Sequence, residues 1–86
     1  MDELVGRFIK GGRLVIIPTK RSKLRSVLDH LSQDFEPGRT YPEAEVNEIL
    51  ERYHDDYAAL RRYLVDEGFM TREAGVYWRI GGTVDV

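Results

Sequence analysis

The residues best suited to chemistry in this sequence form a basic cluster at the start of a predicted helix. The cluster places four cations within six residues, namely Lys20, Arg21, Lys23 and Arg25. Exposed cations at a helix N-terminus are disfavoured by about 0.3–1 kcal/mol each, because that end of the helix dipole is positive. The same end presents free backbone N–H groups, which bind anions. The cluster therefore predicts a phosphate or carboxylate site, and the alternatives are pairing with acidic residues or simple exposure to water.

A second pair of cations, Arg61 and Arg62, lies in the middle of a later predicted helix. In DNA-binding proteins of the helix-turn-helix type, the corresponding helix enters the major groove and its early exposed residues contact bases. Here Asp55 and Asp56 occupy the start of the helix, where carboxylates cap the first turn but also repel phosphate. Arg62 and Asp66 form an i, i+4 pair of the weaker orientation, and phosphate contact by at least one of the two arginines has even odds.

A third pair, Arg72 and Arg79, flanks a tight predicted loop that ends in Gly75. From this position the two side chains would reach a phosphate or the minor groove. The alternative is a cross-strand position on a solvated face. Tyr77 and Trp78 point to opposite sides of a strand, so we expect at least one of these aromatic side chains in the core.

Catalytic and metal chemistry have little support in the sequence. The chain has no cysteine, which excludes disulfides and thiolate metal sites. His30 and His54 lack the spacing of a metal site, and His54 is expected to satisfy backbone groups between two helices. No nucleophile accompanies His54 and Asp56 as an acid–base pair. We expect no metal, no cofactor and no enzymatic activity.

Length and composition predict one small soluble domain. The chain has 86 residues, 42% of them hydrophobic and 33% charged, with a formal net charge of −2, which is typical of globular proteins. No apolar run approaches the length of a membrane span. The acidic start, Met1-Asp2-Glu3, lacks the basic region of a secretory signal. We therefore expect a cytoplasmic protein without membrane contact.

The small net charge hides an asymmetry along the chain. Residues 7–39 carry eight basic and three acidic side chains, a net charge of +5, whereas residues 40–60 carry one basic and six acidic side chains, a net charge of −5. This distribution indicates a basic face for an anionic partner or head-to-tail self-association. Two solvated faces that differ only in charge are the simpler alternative.

The first predicted elements are a helix and a strand. Apolar residues between Leu4 and Ile9 form one helical stripe, which Gly11-Gly12 ends. The apolar, β-branched run Leu14–Ile17 has the length of a strand and is closed by Pro18.

The clearest helix of the chain follows. Its apolar residues recur at helical spacing from Leu24 to Phe35. Thr19 is the predicted N-cap, and Pro37-Gly38 ends the helix. One face of this helix is therefore expected to be buried.

Two more helices are predicted after a short extended piece at residues 39–41. Pro42 suits the first position of a helix whose apolar stripe is Val46, Ile49, Leu50 and Tyr53. The next helix is capped by Asp55 or Asp56, buries Tyr57, Leu60 and Leu64, and ends at Gly68.

The C-terminal part alternates with the period of a strand. Residues 69–72 and 76–80 flank a three-residue loop with glycine last, which is a hairpin signal. Residues 81–86 are expected to lack a packing partner.

This order predicts an α+β, winged-helix-like fold: a three-helix core, a C-terminal β-hairpin wing, and an extra N-terminal helix and strand. We expect a single domain over residues 1–86, with a core at about 7–80. The predicted strand Leu14–Ile17 would pair with the wing or with the extended piece near Tyr41.

Six blocks spread over roughly residues 7–80 are characteristic as a set. They are Gly12-Arg13-Leu14 through Ile17-Pro18-Thr19-Lys20-Arg21, Phe35-Glu36-Pro37-Gly38-Arg39-Thr40-Tyr41, Glu45-Val46-Asn47-Glu48-Ile49-Leu50, His54-Asp55-Asp56-Tyr57, Leu60-Arg61-Arg62-Tyr63-Leu64-Val65, and Gly68-Phe69. Together they resemble the bacterial family called domain of unknown function 2087. Members of that family occur alone or attached to helix-turn-helix transcription regulators, so the resemblance implies a role near transcription and no particular activity. Pro42 departs from the Thr or Ser expected there and is compatible with a helix start.

Two functions follow as hypotheses. The first is a non-enzymatic winged-helix module that binds nucleic acid, DNA more than RNA, or that takes part in transcription regulation. Its expected anion-binding residues are the three groups of cations described above. The second is a protein–protein interaction module or a homodimer, in which complementary basic and acidic faces meet. Separation of the basic side chains from all acids would favour the first, and interleaved acids would favour the second.

Overall fold

The computed structural model of the protein describes residues 3–84. Within this range the chain forms four helices and five short strands, a mixed α+β fold as predicted. The helices are α1 (Glu3–Phe8), α2 (Arg21–Ser32), α3 (Glu43–Glu51) and α4 (Tyr57–Asp66); the strands are β1 (Ile9–Lys10), β2 (Arg13–Leu14), β3 (Thr40–Pro42), β4 (Met70–Glu73) and β5 (Val76–Arg79).

The strands form two antiparallel sheets. β1 pairs with β2, and the larger sheet has the order β3-β5-β4. In the larger sheet Tyr41 is opposite Tyr77, and Arg72 is opposite Tyr77 on the other side. The extended piece near Tyr41 therefore joins the C-terminal hairpin as a third strand.

One apolar core lies between the helices and the larger sheet. The central parts of the predicted helical stripes are confirmed, because Val27 and Leu28 of α2, Val46 of α3, and Leu60 and Leu64 of α4 are completely buried. The predicted ends are wrong in three helices: Ile9 belongs to β1, α2 ends at Ser32 before Phe35 and Pro37-Gly38, and Tyr53 follows the end of α3. The aromatic side chains of Tyr77 and Trp78 lie on opposite faces of β5, as predicted. Tyr77 is buried against the helices, whereas Trp78 lies on the opposite face and is half-buried.

Two predicted helix ends are confirmed in detail. Asp56 caps α4, because its carboxylate accepts a hydrogen bond from the N–H of Ala59. At the other end of α4, Gly68 has a φ of +80°. The N–H of Gly68 donates to the carbonyl of Val65, and the next N–H donates to that of Leu64. This is a Schellman motif, which turns the chain from α4 into β4.

Two other helix starts differ from the prediction by one residue. Lys20, not Thr19, is the N-cap of α2, and no side chain caps this end. Pro42 is the N-cap of α3 rather than its first helical residue, and it also ends β3. The ring of proline is compatible with both roles, because Pro42 has the extended backbone of a strand end.

The predicted strand Leu14–Ile17 is wrong beyond its first residue. Gly11 and Gly12 both have positive φ and turn the chain, so that Leu14 pairs with Ile9 of β1. The run therefore pairs neither with the wing nor near Tyr41. Leu14 is buried, but Val15 and Ile16 are 63% and 60% exposed. The apolar run predicts a short buried or edge strand here, but the chain leaves the sheet after Leu14, and Val15 and Ile16 lie at the surface while Ile17 is half-buried against the core.

The chain after β5 has packing partners within the described residues, contrary to the prediction. The N–H and the hydroxyl of Thr83 both donate to the carboxylate of Asp29 in α2. Gln33 donates to the carbonyl of Thr83. Residues 85 and 86, also part of that prediction, lie outside the described residues. No helix between residues 3 and 84 has the length and apolarity needed to cross a membrane.

Candidate functional site

The two arginines of the predicted basic cluster are neutralised within the chain. Arg21 and Arg25 both contact the carboxylate of Glu67, at 2.9 and 3.0 Å. Arg25 also donates to the backbone carbonyl of Glu67 and lies over the ring of Phe69, 5.0 Å from its centroid. Hydrogen bonds from Arg21 and then Arg25 hold the pKa of Glu67 below its ordinary value. These two arginines join α2 to the end of α4.

The two lysines of the cluster, Lys20 and Lys23, have no ion pair with any described residue. Both lysines line a cavity of about 200 Å³ between α1 and the start of α2, which we call the N-terminal groove. Its walls are apolar apart from the lysines and a threonine; they are Phe8, Ile16, Ile17, Pro18, Thr19, Lys20 and Lys23.

The arginines of α4 are paired as well. Arg61 donates to the amide oxygen of Asn47 and lies 3.6 Å from the carboxylate of Glu43, both in α3. Its side chain is only 21% exposed. Arg62 is exposed and lies 4.0 Å from Asp66, one turn further along α4. An acidic residue of α3 therefore lies among the predicted basic residues.

The outer face of α4 has little positive charge. Ala58, Arg62 and Asp66 are the exposed residues of α4. Asp55, just before the helix, pairs with Arg13 at 3.0 Å. His54 accepts a hydrogen bond from the N–H of Asp56, which confirms its predicted local role.

The two arginines of the C-terminal hairpin, in β4 and β5, have different surroundings. Arg72 is exposed and donates to the hydroxyl of Tyr77 at 3.3 Å, and this hydrogen bond raises the pKa of the guanidinium. The same hydroxyl donates to Glu43. Arg79 is only 8% exposed. Its guanidinium donates to three backbone carbonyls, those of Gly81, Phe35 and Thr83, and so holds residues 81–83 against the core.

Of the eight predicted cations, six thus have partners among the described residues and two do not. Those with partners are Arg21, Arg25, Arg61, Arg62, Arg72 and Arg79. The structure brings together Lys20, Arg21, Lys23 and Arg25 at the start of α2, as expected from their spacing. Arg79 lies elsewhere, under the C-terminal residues.

The acidic side of the molecule contains a cavity of about 460 Å³. Arg39 lines it, pairs with Glu45 at 2.8 Å and lies over the ring of Tyr41. Glu36 and Glu48 line the cavity without an ion pair to any described residue. No group of three or more potential metal ligands occurs between residues 3 and 84.

A neighbouring cavity is lined by Tyr53, which the sequence predicts only as part of an apolar helical stripe. The hydroxyl of Tyr53 donates to the carboxylate of Asp34, and the centroids of the His30 and Tyr53 rings lie 6.4 Å apart in an edge-to-face arrangement. Burial, followed by this hydrogen bond, raises the pKa of Tyr53. Tyr53 and Asp34 are 19 positions apart, so no local pattern indicates their contact.

Comparison with known proteins agrees with the sequence blocks described above. Residues 13–79 match the family described as uncharacterized proteins conserved in bacteria, domain of unknown function 2087. No curated protein and no solved structure matches the chain. The match covers the larger sheet, the helices α2, α3 and α4, and the strand β2. The chain therefore belongs to this bacterial family of uncharacterized proteins.

Proposed function

We propose that the protein is a non-enzymatic, winged-helix-like regulatory module that acts by binding another protein. The topology supports a winged-helix-like arrangement. α2, α3 and α4 would be its three core helices, and β4 and β5 its wing, with β3 as the strand that the wing joins. α1, β1 and β2 are additions before this unit.

The observation that carries the proposal is the charge on the outer face of α4. In a DNA-binding protein of this type, that helix enters the major groove, and its environment is rich in lysine and arginine. Here the exposed side of α4 carries one cation, Arg62, which lies beside Asp66. Asp55 and Asp56 precede it and would face the phosphates. A helix with this charge is poorly suited to DNA.

The ion pairs of the basic residues point the same way. Glu67 neutralises Arg21 and Arg25, and Glu43 lies beside Arg61. Nucleic-acid binding depends on cations that are free to displace counterions from phosphates. Interleaved acids remove most of that charge, whereas a protein partner needs only a few complementary contacts.

Nucleic-acid binding is the second candidate, and one feature favours it. Lys20 and Lys23 are free, and they stand at the start of α2, where the first backbone N–H to bond within the helix is that of Leu24. Free N–H groups and two lysines would bind a phosphate. Binding of this kind would be weak, independent of base sequence and strongly dependent on salt.

Fluorescence anisotropy distinguishes the two candidates. The probes are labelled duplex DNA and labelled single-stranded RNA, each at low and near-physiological salt. The variants are Lys20→Glu combined with Lys23→Glu, which reverses the free cations, and Arg62→Glu, which reverses the exposed cation of α4. We expect any binding by the native protein to vanish at near-physiological salt.

Two results would overturn the proposal. DNA binding that persists at near-physiological salt and is weakened by Arg62→Glu would place DNA against α4. Persistent binding that is lost only in the double lysine variant would establish the second candidate instead. Binding of neither nucleic acid at near-physiological salt supports a protein partner.

A further inference from the structure

We propose that the N-terminal groove is the docking site for an acidic, aliphatic segment of a partner protein. This inference rests on the proposed function and names the surface and the chemistry of the partner. Its three observations are an exposed apolar segment, a small apolar cavity beside it, and two free lysines at the rim.

The apolar segment is Val15-Ile16. These side chains are 63% and 60% exposed, whereas Leu14 immediately before them is 4% exposed. Their exposure follows from the turn at Gly11-Gly12, which ends the pairing of β2 at Leu14. The N–H of Val15 donates to the carbonyl of Phe8, so the segment is held in place beside the groove. Adjacent exposed β-branched residues of this kind mark an interaction surface.

The cavity continues this apolar surface inward. Its volume of about 200 Å³ is below the roughly 300–1,000 Å³ of a small-molecule pocket. Such a groove accommodates side chains of a bound segment rather than a whole ligand. Ile16, Ile17 and Phe8 are its main walls, which favours an aliphatic side chain as the group that enters.

The charges at the rim indicate an acidic partner. Lys20 and Lys23 have no ion pair among the residues described, although Arg21, in the same turn, is held by Glu67. Carboxylates of a bound segment would pair with both lysines while its aliphatic side chain fills the groove. Nucleic acid fits less well, because single strands bind through exposed aromatic platforms, and the groove's only aromatic residue, Phe8, is half-buried.

The test uses synthetic peptides and amide chemical-shift mapping by NMR on the full chain. The probe is an amphipathic peptide of leucine and glutamate at helical spacing, compared with versions that carry lysine or glutamine in place of glutamate. We expect the acidic peptide to shift the amides around residues 15–23. The lysine peptide should not bind, and the glutamine peptide should bind more weakly.

Variants connect the shifts to the groove. The double variant Lys20→Glu with Lys23→Glu should bind the acidic peptide with an affinity lower by about tenfold or more. The same variant should bind the lysine peptide, which the native protein does not bind. The control with the same change in charge is Lys10→Glu with Arg52→Glu, because these exposed cations lie outside the groove. Ile16→Asp should also weaken binding, whereas Ile80→Asp, at a residue 58% exposed elsewhere, should not.

Several outcomes would overturn the inference. Shifts confined to α4 or the wing, or equal weakening by the two double variants, would place the partner elsewhere. Failure of the acidic peptide to bind would also overturn it, as would binding to anionic lipid vesicles in preference to the peptide. In each of these cases only the docking site is refuted. The proposed protein-binding function fails only if nucleic acid binds at near-physiological salt, so the two proposals can be refuted separately.

Discussion

At the scale of single residues, Glu67 decides how much of the basic cluster is available. It accepts from Arg21 and Arg25 at once, and its own position is set by the end of α4. Two cations that the sequence places beside Lys20 and Lys23 are thereby used for packing α2 against α4. Arg79 is a similar case, because its buried guanidinium satisfies carbonyls instead of meeting an external anion.

Glu67 also predicts a dependence of stability on pH. The arginines lower its pKa in the folded state, so its contribution is complete above the ordinary glutamate value of 4.5 and is lost as the pH falls below it. We expect the melting temperature of the native protein to fall over that acidic range. Glu67→Gln should reduce the acid-induced fall, as measured by circular dichroism.

The control for this prediction is Glu73→Gln, because Glu73 is exposed and has no ion pair among the described residues. Glu73→Gln should leave the pH dependence unchanged. An identical acid profile for native protein and Glu67→Gln would mean that the two arginines do not depend on this carboxylate.

At the scale of elements, the contact between the end of α4 and the end of β5 joins the β4–β5 hairpin to the helices. The N–H groups of Ile80 and Gly81 both donate to the carbonyl of Phe69, directly after the Schellman motif. This arrangement brings two backbone segments so close that position 81 has no room for a side chain. This close approach explains why position 81 is a glycine, although the φ of Gly81 is not positive.

Gly81→Ala should therefore destabilise the protein. A Cβ atom at this position would lie 2.5 Å from the carbonyl oxygen of Gly68, so the backbone would have to move. We expect a loss of about 1–3 kcal/mol in the free energy of unfolding, as is typical of overpacking. Urea denaturation measures this change.

Gly6→Ala is the matched substitution for comparison. Gly6 lies inside α1 and a Cβ there meets nothing within 4 Å. Alanine should stabilise this helix position by roughly 0.5–1 kcal/mol. Equal effects at positions 6 and 81 would contradict the close approach of α4 and β5.

At the scale of the whole molecule, one core supports two surfaces of different charge. The helices and the inner face of the larger sheet share a continuous apolar cluster. Around it, the basic N-terminal groove and the acidic cavity near Arg39 are separate regions with different linings. Both surfaces therefore depend on the same core for their shape.

Leu60→Ala tests that dependence. Leu60 of α4 is completely buried, and removing its side chain should cost about 2–5 kcal/mol through lost burial and a residual cavity. A loss of that size is a large part of the stability of so small a protein. Thermal and urea denaturation should both report it.

Val84→Ala provides the control, because Val84 is 58% exposed. Its effect should lie within about 0.5 kcal/mol, as for most surface substitutions. Similar losses for the two variants would show that α4 does not bury the face assigned to it.

The sequence by itself determined the four helices, most of their buried faces and the hairpin, although the hairpin loop has two residues, Ala74-Gly75, rather than the predicted three because Glu73 pairs with Val76. These features depend on patterns within a few residues: apolar side chains at helical spacing, a cap at Asp56, and Gly68 at a helix end. The basic cluster at the start of α2 was also predictable, because its members are adjacent in sequence. The family resemblance rested on the same blocks and is confirmed over residues 13–79.

Only the tertiary structure decided which charges remain free and which apolar residues remain exposed. Arg21 meets Glu67 across 46 positions, and Arg79 meets the carbonyl of Phe35 across 44. Such pairs depend on how α2, α4 and β5 pack, which no local pattern specifies. The exposure of Ile16 has the same origin. Its apolar run favours burial, but the position of the turn before it determines where the chain goes.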